Sequence, residues 1–195
     1  MTEQPGRRER KKAATRRAIA DTALRMFHER GYDAVGIREI AAAADVAITT
    51  VFAHFPSKEA LVFDEDQQRE ERLIQAVTGR EPGTSIPQAL RQHLQAATAR
   101  DFARTGTATF WRLVDSSPAL RDYASRMWLR HEDALTAAIA ADLGLAEPST
   151  ACRAFARFVL AVYPLAREAA DPATAVEEIF DLIGPGWDAT VAGRA

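Results

Sequence analysis

Residues 37–61 read IREIAAAADVAITTVFAHFPSKEAL, and the reading of this stretch decides the fold. Ile37, Ile40, Ala41 and Ala44 fall at i, i+3, i+4 and i+7, the spacing of one helix face sustained for about two turns. Asp45 and Val46 interrupt the pattern, and Ile48, Val51, Phe52 and Phe55 then repeat it. Two short helices therefore stand about a four-residue turn apart. Pro56 closes the second, because the residue before a proline is pushed out of the helical region. Ser57 is a good N-cap for a further helix, and Glu59 falls in its first turn, where the helix dipole favours a carboxylate.

Upstream, Ile19, Ala23, Met26 and Phe27 form one stripe of a longer helix running from about Lys11 to Arg30. Gly31 ends it, since glycine enters the left-handed region without a steric penalty, and Tyr32 is placed to fold back on the helix end. Downstream, a helix is expected over 58–77, followed by a break at Gly79, Pro82, Gly83 and Pro87. Further helical patterns run from about Ile86 to Arg104, Thr107 to Asp115, Pro118 to Leu143 and Pro148 to Ala170. The last begins at Pro172, reaches about Ile183 and has a continuation to Thr190. Ser117 and Pro118 have the cap and first-position chemistry of a helix start, and Gly144 a stop. No alternating strand pattern is present. The expected fold is all-α: a basic arm and three-helix domain over 1–60, and a helical domain over 61–195, connected by the helix 58–77.

The chain has 195 residues, 47% hydrophobic and 27% charged, with 10 Gly and 9 Pro, a globular composition that excludes collagenous and disordered classes. The lone Cys152 can form no intramolecular disulfide, and the basic start leads into no signal-peptide pattern, so a reducing cytoplasm is expected. No apolar run approaches the roughly 18–20 residues that span a bilayer, and no membrane partner is expected. The net charge of −2 hides an asymmetry: residues 1–60 carry 11 basic and 8 acidic side chains, whereas 61–195 carry 14 and 19. The basic excess is concentrated in Arg7, Arg8, Arg10, Lys11, Lys12, Arg16 and Arg17, against Glu9 alone. A polyanion is the natural partner of that end.

Two short helices at a tight turn, behind a longer helix and a basic arm, have the layout of a helix-turn-helix DNA reader. The second short helix offers Thr49, Thr50, Ala53 and His54, small or polar, beside Phe52. Hydroxyls and an imidazole can bond phosphates or bases, and small side chains admit thymine methyl groups. Enzymatic patterns are missing. His131-Glu132-Asp133 has Leu135 where a zinc-protease helix needs its second His, and neither a nucleophile elbow nor a phosphate loop occurs. No metal site and no cofactor are expected, and Cys152 reads as a small packed residue.

The segments Thr15–Ile19, Ala23-Leu24 through Phe27, Gly31-Tyr32, Ile37–Ala41, Ala44 through Val46 and Thr50–Leu61 together resemble the DNA-binding domain of TetR-type transcriptional regulators. The likeness covers about residues 10–65, with His54-Phe55-Pro56-Ser57-Lys58-Glu59 its most specific part. The resemblance implies a homodimeric all-helical repressor that binds a double-stranded DNA operator and carries a C-terminal effector-binding and dimerisation domain. Carried over by position, Arg38, Thr49, Thr50, Phe52 and His54 match DNA-facing sites and Lys58 a phosphate contact; Arg16 and Arg17 of the basic run join them. Val51 and Phe55 go to the core. Gly36 stands where Ser or Thr often caps, Asp45 occupies the usual glycine of the turn, Ala47 replaces a Ser cap, and Phe52 replaces the usual tyrosine.

In the second half, Phe155, Phe158, Val159 and Val162, and then Val176, Ile179, Phe180 and Ile183, form two helical stripes. Each stripe suits intramolecular core or an interface; the resemblance favours a dimer interface built from Phe155, Phe158, Val162, Val176, Ile179, Phe180 and Ile183. Phe102, Phe110, Trp111, Tyr123, Met127, Trp128 and His131 make an aromatic set that suits either core or a pocket for a small hydrophobic effector. The rival readings are a DNA-binding regulator with no effector and a helical protein-interaction module without DNA binding.

Overall fold

The computed structural model describes residues 6–103 and 106–193. The helices are α1 Arg7–Arg30, α2 Ile37–Ala43, α3 Ile48–His54, α4 Asp66–Thr78, α5 Ile86–Ala103, α6 Thr107–Ser116, α7 Pro118–Asp142, α8 Thr150–Glu168 and α9 Pro172–Ala192. No strand occurs among the described residues. Arg104, the expected end of the fifth helix, lies outside them. The chain divides into two compact units, one holding residues up to Glu65 together with Ala108–Ala124, the other holding Asp66–Thr107 and the residues from Ser125 onward.

In the first unit α1 packs on α2, and α2 on α3. Ile19, Phe27, Val35, Ile40, Val51, Phe55 and Leu61 are all fully or almost fully buried. Gly31, at φ +83°, ends α1 while its N–H still reaches the Phe27 carbonyl at 2.9 Å. The Tyr32 ring then lies 5.0 Å from that of Phe27. The turn between α2 and α3 depends on Asp45 at φ +51°, a backbone region that Asp tolerates better than most residues because its short polar side chain bonds locally. One residue later the Val46 N–H closes on the Ala41 carbonyl at 3.0 Å, which caps α2 and aims the chain into α3.

The expected helix over 58–77 is corrected. Only a 3₁₀ turn, Glu59–Leu61, follows Pro56, and α4 starts at Asp66. Ser57 caps that turn, its hydroxyl accepting the Ala60 N–H at 3.3 Å. The reason for the break is burial: Ala60, Leu61, Val62 and Phe63 are all buried in succession, whereas a regular helix spreads four successive residues around its axis. These residues also move the boundary from 60/61 to 65/66. The first unit gains Ala108–Ala124, where Phe110 and Tyr123 place their rings 5.8 and 5.1 Å from that of Phe63.

In the second unit α8 and α5 both pack on α9, and α4 packs on α5. Ser149 caps α8, accepting the Cys152 N–H, and Asp171 caps α9, accepting the Ala173 N–H at 3.0 Å. Both helices continue through an internal proline, Pro164 and Pro185. The two apolar stripes serve this unit's own core, which corrects the interface expected from them. Phe155, Val162, Val176 and Phe180 are buried, and Ile179 and Ile183 pack partly buried against the same cluster. The Phe155 ring stacks on Trp187 at 4.4 Å. Of the expected interface residues only Phe158 is open, 55% exposed, alongside Leu165 at 51% and Leu182 at 79%. The physical reason is that α8 and α9 face each other, so their strongest stripes satisfy one another first.

Candidate nucleic-acid interface

Helix α3 has a buried side and an open side. Val51 and, just past the helix, Phe55 turn inward, while Thr49, Phe52 and Ala53 occupy the opposite face at i, i+3 and i+4. Phe52 is 50% exposed, and Thr50 and His54 are half-buried at the flanks of that row. Arg38 on α2 is exposed, as is Arg17 on α1. Gly36 begins α2 without a side chain to cap it; instead its own N–H donates to Glu39 Oε2 at 2.8 Å, and Glu39 is also paired with Arg30 at 2.9 Å. Ala47 begins α3 with no side-chain cap.

Arg16 and Lys58 are differently placed from what the sequence suggested. Arg16 turns inward: its Nε lies 2.7 Å from Asp64 Oδ1, its guanidinium donates to the Asp64 carbonyl at 3.2 Å and to the His54 carbonyl, and it covers the Phe55 ring at 4.2 Å. It therefore joins α1 to the end of α3 and to the chain entering α4. The periodicity carries a signal for this, since Arg16 lies three and seven residues before Ile19 and Ala23, on the core stripe of α1. Lys58 donates to the Tyr32 carbonyl at 2.6 Å and sits 4.0 Å above the Tyr32 ring. Burial pushes its ammonium below its ordinary value, opposed by the carboxylates of Asp33, Glu59 and Glu39. Tyr32 completes the joint by donating its hydroxyl to Glu59 at 2.8 Å, and burial together with that carboxylate raises its phenol far above the usual value. Asp33 accepts from the Ser117 hydroxyl at 3.2 Å. No local pattern announces that last bond, because its partners are 84 positions apart.

The charge on His54 is disfavoured. Burial lowers its titration below the ordinary imidazole value, and the positive charges of Arg16 and Lys12 lower it further. A neutral imidazole at the end of α3 supplies a hydrogen-bonding group and no cation.

The aromatic set is divided between the two units. Phe110, Trp111 and Tyr123 belong to the first unit, with Phe110 and Tyr123 on Phe63, and Trp111 edge-on to Phe110 at 5.1 Å. Phe102, Met127, Trp128 and His131 belong to the second. There the Tyr163 ring lies 6.3 Å from those of both Phe102 and Trp128, and Trp128 meets His131 edge-on at 5.7 Å. Buried polar groups accompany these rings. Tyr163 donates to Asp101 at 2.9 Å, Arg69 pairs with the same carboxylate at 2.7 Å, and His131 Nε2 lies 2.7 Å from Asp66 Oδ1. The Thr98 hydroxyl, on the same face of α5 as Asp101 and Phe102, is buried without a hydrogen-bond partner among the described residues. Neither Tyr163 nor Asp101 stands out in the sequence as part of an aromatic site. Among the described residues no group of three or more His, Cys, Asp and Glu is placed to hold a metal, and no helix is long and apolar enough to cross a membrane.

Comparison with known proteins bears on the same elements. The profile of the tetR family of bacterial regulatory proteins matches residues 19–64, from the buried half of α1 to the residue that Arg16 holds. The HTH-type transcriptional regulator TcmR of Streptomyces glaucescens is 31% identical over 123 residues, 60% of this chain and 54% of its own. The HTH-type transcriptional repressor Rv1474c of Mycobacterium tuberculosis is 32% identical over 114 residues, 58% of this chain and 59% of its own. The chain thus spans little more than half the length of these two relatives. The fold likeness reaches further: the structure of the SmeT–triclosan complex superposes with a TM-score of 0.58 over 87% of this chain and 89% of that one, at 22% identity. The helix-turn-helix geometry and the matching profile thus agree that residues 19–64 are similar to the DNA-binding domain of the tetR family of bacterial regulatory proteins, and the all-helical fold is shared with the SmeT structure.

Proposed function

We propose that the protein is a DNA-binding transcriptional repressor that acts in the cytoplasm as a homodimer on a palindromic operator and is released by a small, largely apolar effector. The observation that carries the reading is the open row on α3. Thr49, Phe52 and Ala53 face outward on a helix whose other side is anchored by Val51 in the family's helix-turn-helix core. A threonine, a small alanine and an aromatic edge suit base edges, thymine methyl groups and the sugar-phosphate wall of a major groove. Arg38 and Arg17 add exposed positive charge for phosphates.

Dimerisation is supported by apolar side chains left open on α8 and α9, namely Phe158, Leu165 and Leu182. Two copies related by a two-fold axis present two identical α3 helices, and half-sites then stand about one helical turn apart or a multiple of it. Effector binding is supported by the rings of Phe102, Trp128 and Tyr163 with the buried polar groups of Asp101, His131 and Thr98, and by the triclosan held by the fold relative SmeT. Met127 is buried in the same unit.

Selection of bound sequences from a random duplex pool tests the DNA reading. A palindrome is the expected product, and Thr49→Ala is expected to change base preference; recovery of no enriched sequence overturns it. Replacing Phe158 and Leu182 with Asp is expected to yield folded monomers by sedimentation. For the effector, triclosan is a suitable first probe: quenching of tryptophan fluorescence together with weaker duplex binding supports an inducer. The operator must then weaken ligand binding by the same factor, a coupling of typically about 1–3 kcal/mol.

A further inference from the structure

Helix α4 has a second face. Leu73 and Val77 are buried in the core, whereas Arg72, Gln75 and Gly79 follow one another at i, i+3 and i+7 along its flank. On α5, Ala89, Gln92 and His93 stand at i, i+3 and i+4, and the two rows line an open groove of about 480 Å³. That volume is within the range of small-molecule sites. The space exists because Ala76 and Ala89, which also line it, end at Cβ. Gly79 contributes as well: a Cβ there would come within 2.0 Å of Gln75 Nε2, so any other residue would push that carboxamide from its place beside the end of α4. The loop wall is fixed by Arg80, which donates to the Val77 carbonyl at 2.8 Å and the Thr84 carbonyl at 2.9 Å and pairs with Asp142.

The polar chemistry of the groove is lopsided. Its guanidinium, imidazole and carboxamide groups all carry N–H donors, and of the described residues that line it only Glu81, exposed in the loop after α4, is acidic. His93 is half-buried and has no hydrogen bond or ion pair among the described residues. The charges that act on its ring are the guanidiniums of Arg100, also on α5, and of Arg72; burial first and then these cations hold its titration below the ordinary value. Glu71, beside Arg72 on α4, accepts from the Gln67 carboxamide at 2.9 Å. An imidazole with two cations acting on it is the complement of a dianion, which offsets both guanidiniums and lets the ring take up a proton and donate a hydrogen bond. A lone carboxylate offsets only one.

We propose that the groove between α4 and α5 is a binding site for the phosphate monoester of a small polar molecule, with the phosphate held by Arg72 and the His93 imidazole and the remainder met by the carboxamides of Gln75 and Gln92. Arginine offers a planar fork that matches phosphate oxygens, and a phosphate monoester is mostly dianionic above a pH of about 6. The site shares no residue with the rings of Phe102, Trp128 and Tyr163, and its occupancy depends neither on DNA binding nor on an apolar effector.

The test follows the His93 ring by NMR in the full chain labelled at histidine, with His93→Gln identifying its signal among the four histidines. Glucose 6-phosphate and inorganic phosphate, each against chloride at equal ionic strength, are expected to raise the midpoint of that titration by about one pH unit, and glucose to leave it in place. By linkage, a rise of about one pH unit means about tenfold tighter binding to the protonated ring. In calorimetry the affinity for sulfate, a dianion throughout, is expected to rise as pH falls from about 7.5 to about 5.5, and His93→Gln to abolish the rise. Arg72→Gln is expected to weaken phosphate binding about tenfold or more. Arg91→Gln, whose partner is Asp181 on α9, is expected to leave it unchanged. If phosphate leaves the His93 titration in place, or moves it no more than that of exposed His28, only ionic screening is at work and the site is overturned. Phosphate binding that survives Arg72→Gln with wild-type circular dichroism overturns it equally. If inorganic phosphate binds more tightly than glucose 6-phosphate, the groove takes the free ion and the ester assignment is overturned.

Discussion

Replacing Arg16 with alanine separates the two roles open to this residue. In the structure its guanidinium makes an ion pair at 2.7 Å with Asp64, carbonyl bonds to Asp64 and His54, and a cation–π contact at 4.2 Å with Phe55. The side chains of Arg16 and Asp64 are 35% and 27% exposed, so solvent screens the ion pair and limits it to about 1 kcal/mol or less. The stacking on Phe55 contributes about 0.5–1 kcal/mol. The charge-assisted bond at the C-terminal end of α3 adds roughly 0.5–1 kcal/mol through the helix dipole and the otherwise orphaned carbonyl. Arg16→Ala is therefore expected to cost the first unit about 2 kcal/mol. Asp64→Asn keeps the carbonyl bonds and the stacking and is expected to cost less than about 1 kcal/mol; burial raises the Asp64 carboxyl above its usual value against the pull of Arg16, so its charge is itself partly disfavoured. Arg17→Ala, at an exposed position without a partner among the described residues, is expected to leave stability within about 0.5 kcal/mol. Urea unfolding followed by far-ultraviolet circular dichroism, with hydrogen exchange at α3 to localise the effect, reads all three. The reasoning is refuted if Arg16→Ala leaves stability unchanged while weakening duplex binding, since Arg16 then serves phosphate rather than the fold.

Three further outcomes follow from the same structure. Phe180→Ala is expected to cost about 3–5 kcal/mol because the ring is 2% exposed in the core of the second unit, whereas Leu182→Ala, two residues on and 79% exposed, should cost under about 0.5 kcal/mol in a monomeric variant; equal costs in thermal unfolding would contradict the assignment of the stripe. Asp45→Val is expected to lose about 1–2 kcal/mol, since a branched side chain is strained at φ +51°, and a variant as stable as the parent would show that the turn relaxes. His93 is lowered below its ordinary value by burial first and then by Arg100 and Arg72, so the unfolded chain binds the proton more readily. Stability should fall as pH drops below about 6.5 toward the folded-state value, and His93→Gln should flatten that part of a pH-against-urea-midpoint profile.

The legible parts of this protein are those encoded by residues close in sequence. The two short helices of 37–54, the glycine stop at Gly31, the tolerant Asp45 in the turn and the Ser117–Pro118 start of α7 all depend on local spacing, and such patterns are visible in one dimension. The outward direction of Thr49 and Ala53 was equally readable, because burying Val51 and Phe55 leaves them no other, whereas Phe52 shares the apolar spacing of Val51 and only the packing turns it out. The break between Pro56 and Asp66 was not, because cap and periodicity both favour a continuous helix there; only the pull of the core on Ala60 through Phe63 breaks it.

An apolar stripe states that a helix face must be covered and is silent on what covers it. Phe155 and Phe158 look alike in the sequence; the packing of α8 on α9 buries one against Trp187 and leaves the other open. Likewise a run of cations declares a taste for polyanions without dividing its members. Arg16 and Arg17 are neighbours, yet the helix turns one onto Asp64 and Phe55 and the other into solvent. Local chemistry thus determined which segments are helical and that the N-terminal end suits nucleic acid. The tertiary structure decided which side chains are used up in holding the molecule together and which remain free, because that choice depends on partners 48 or 84 positions away, whose approach no local spacing encodes.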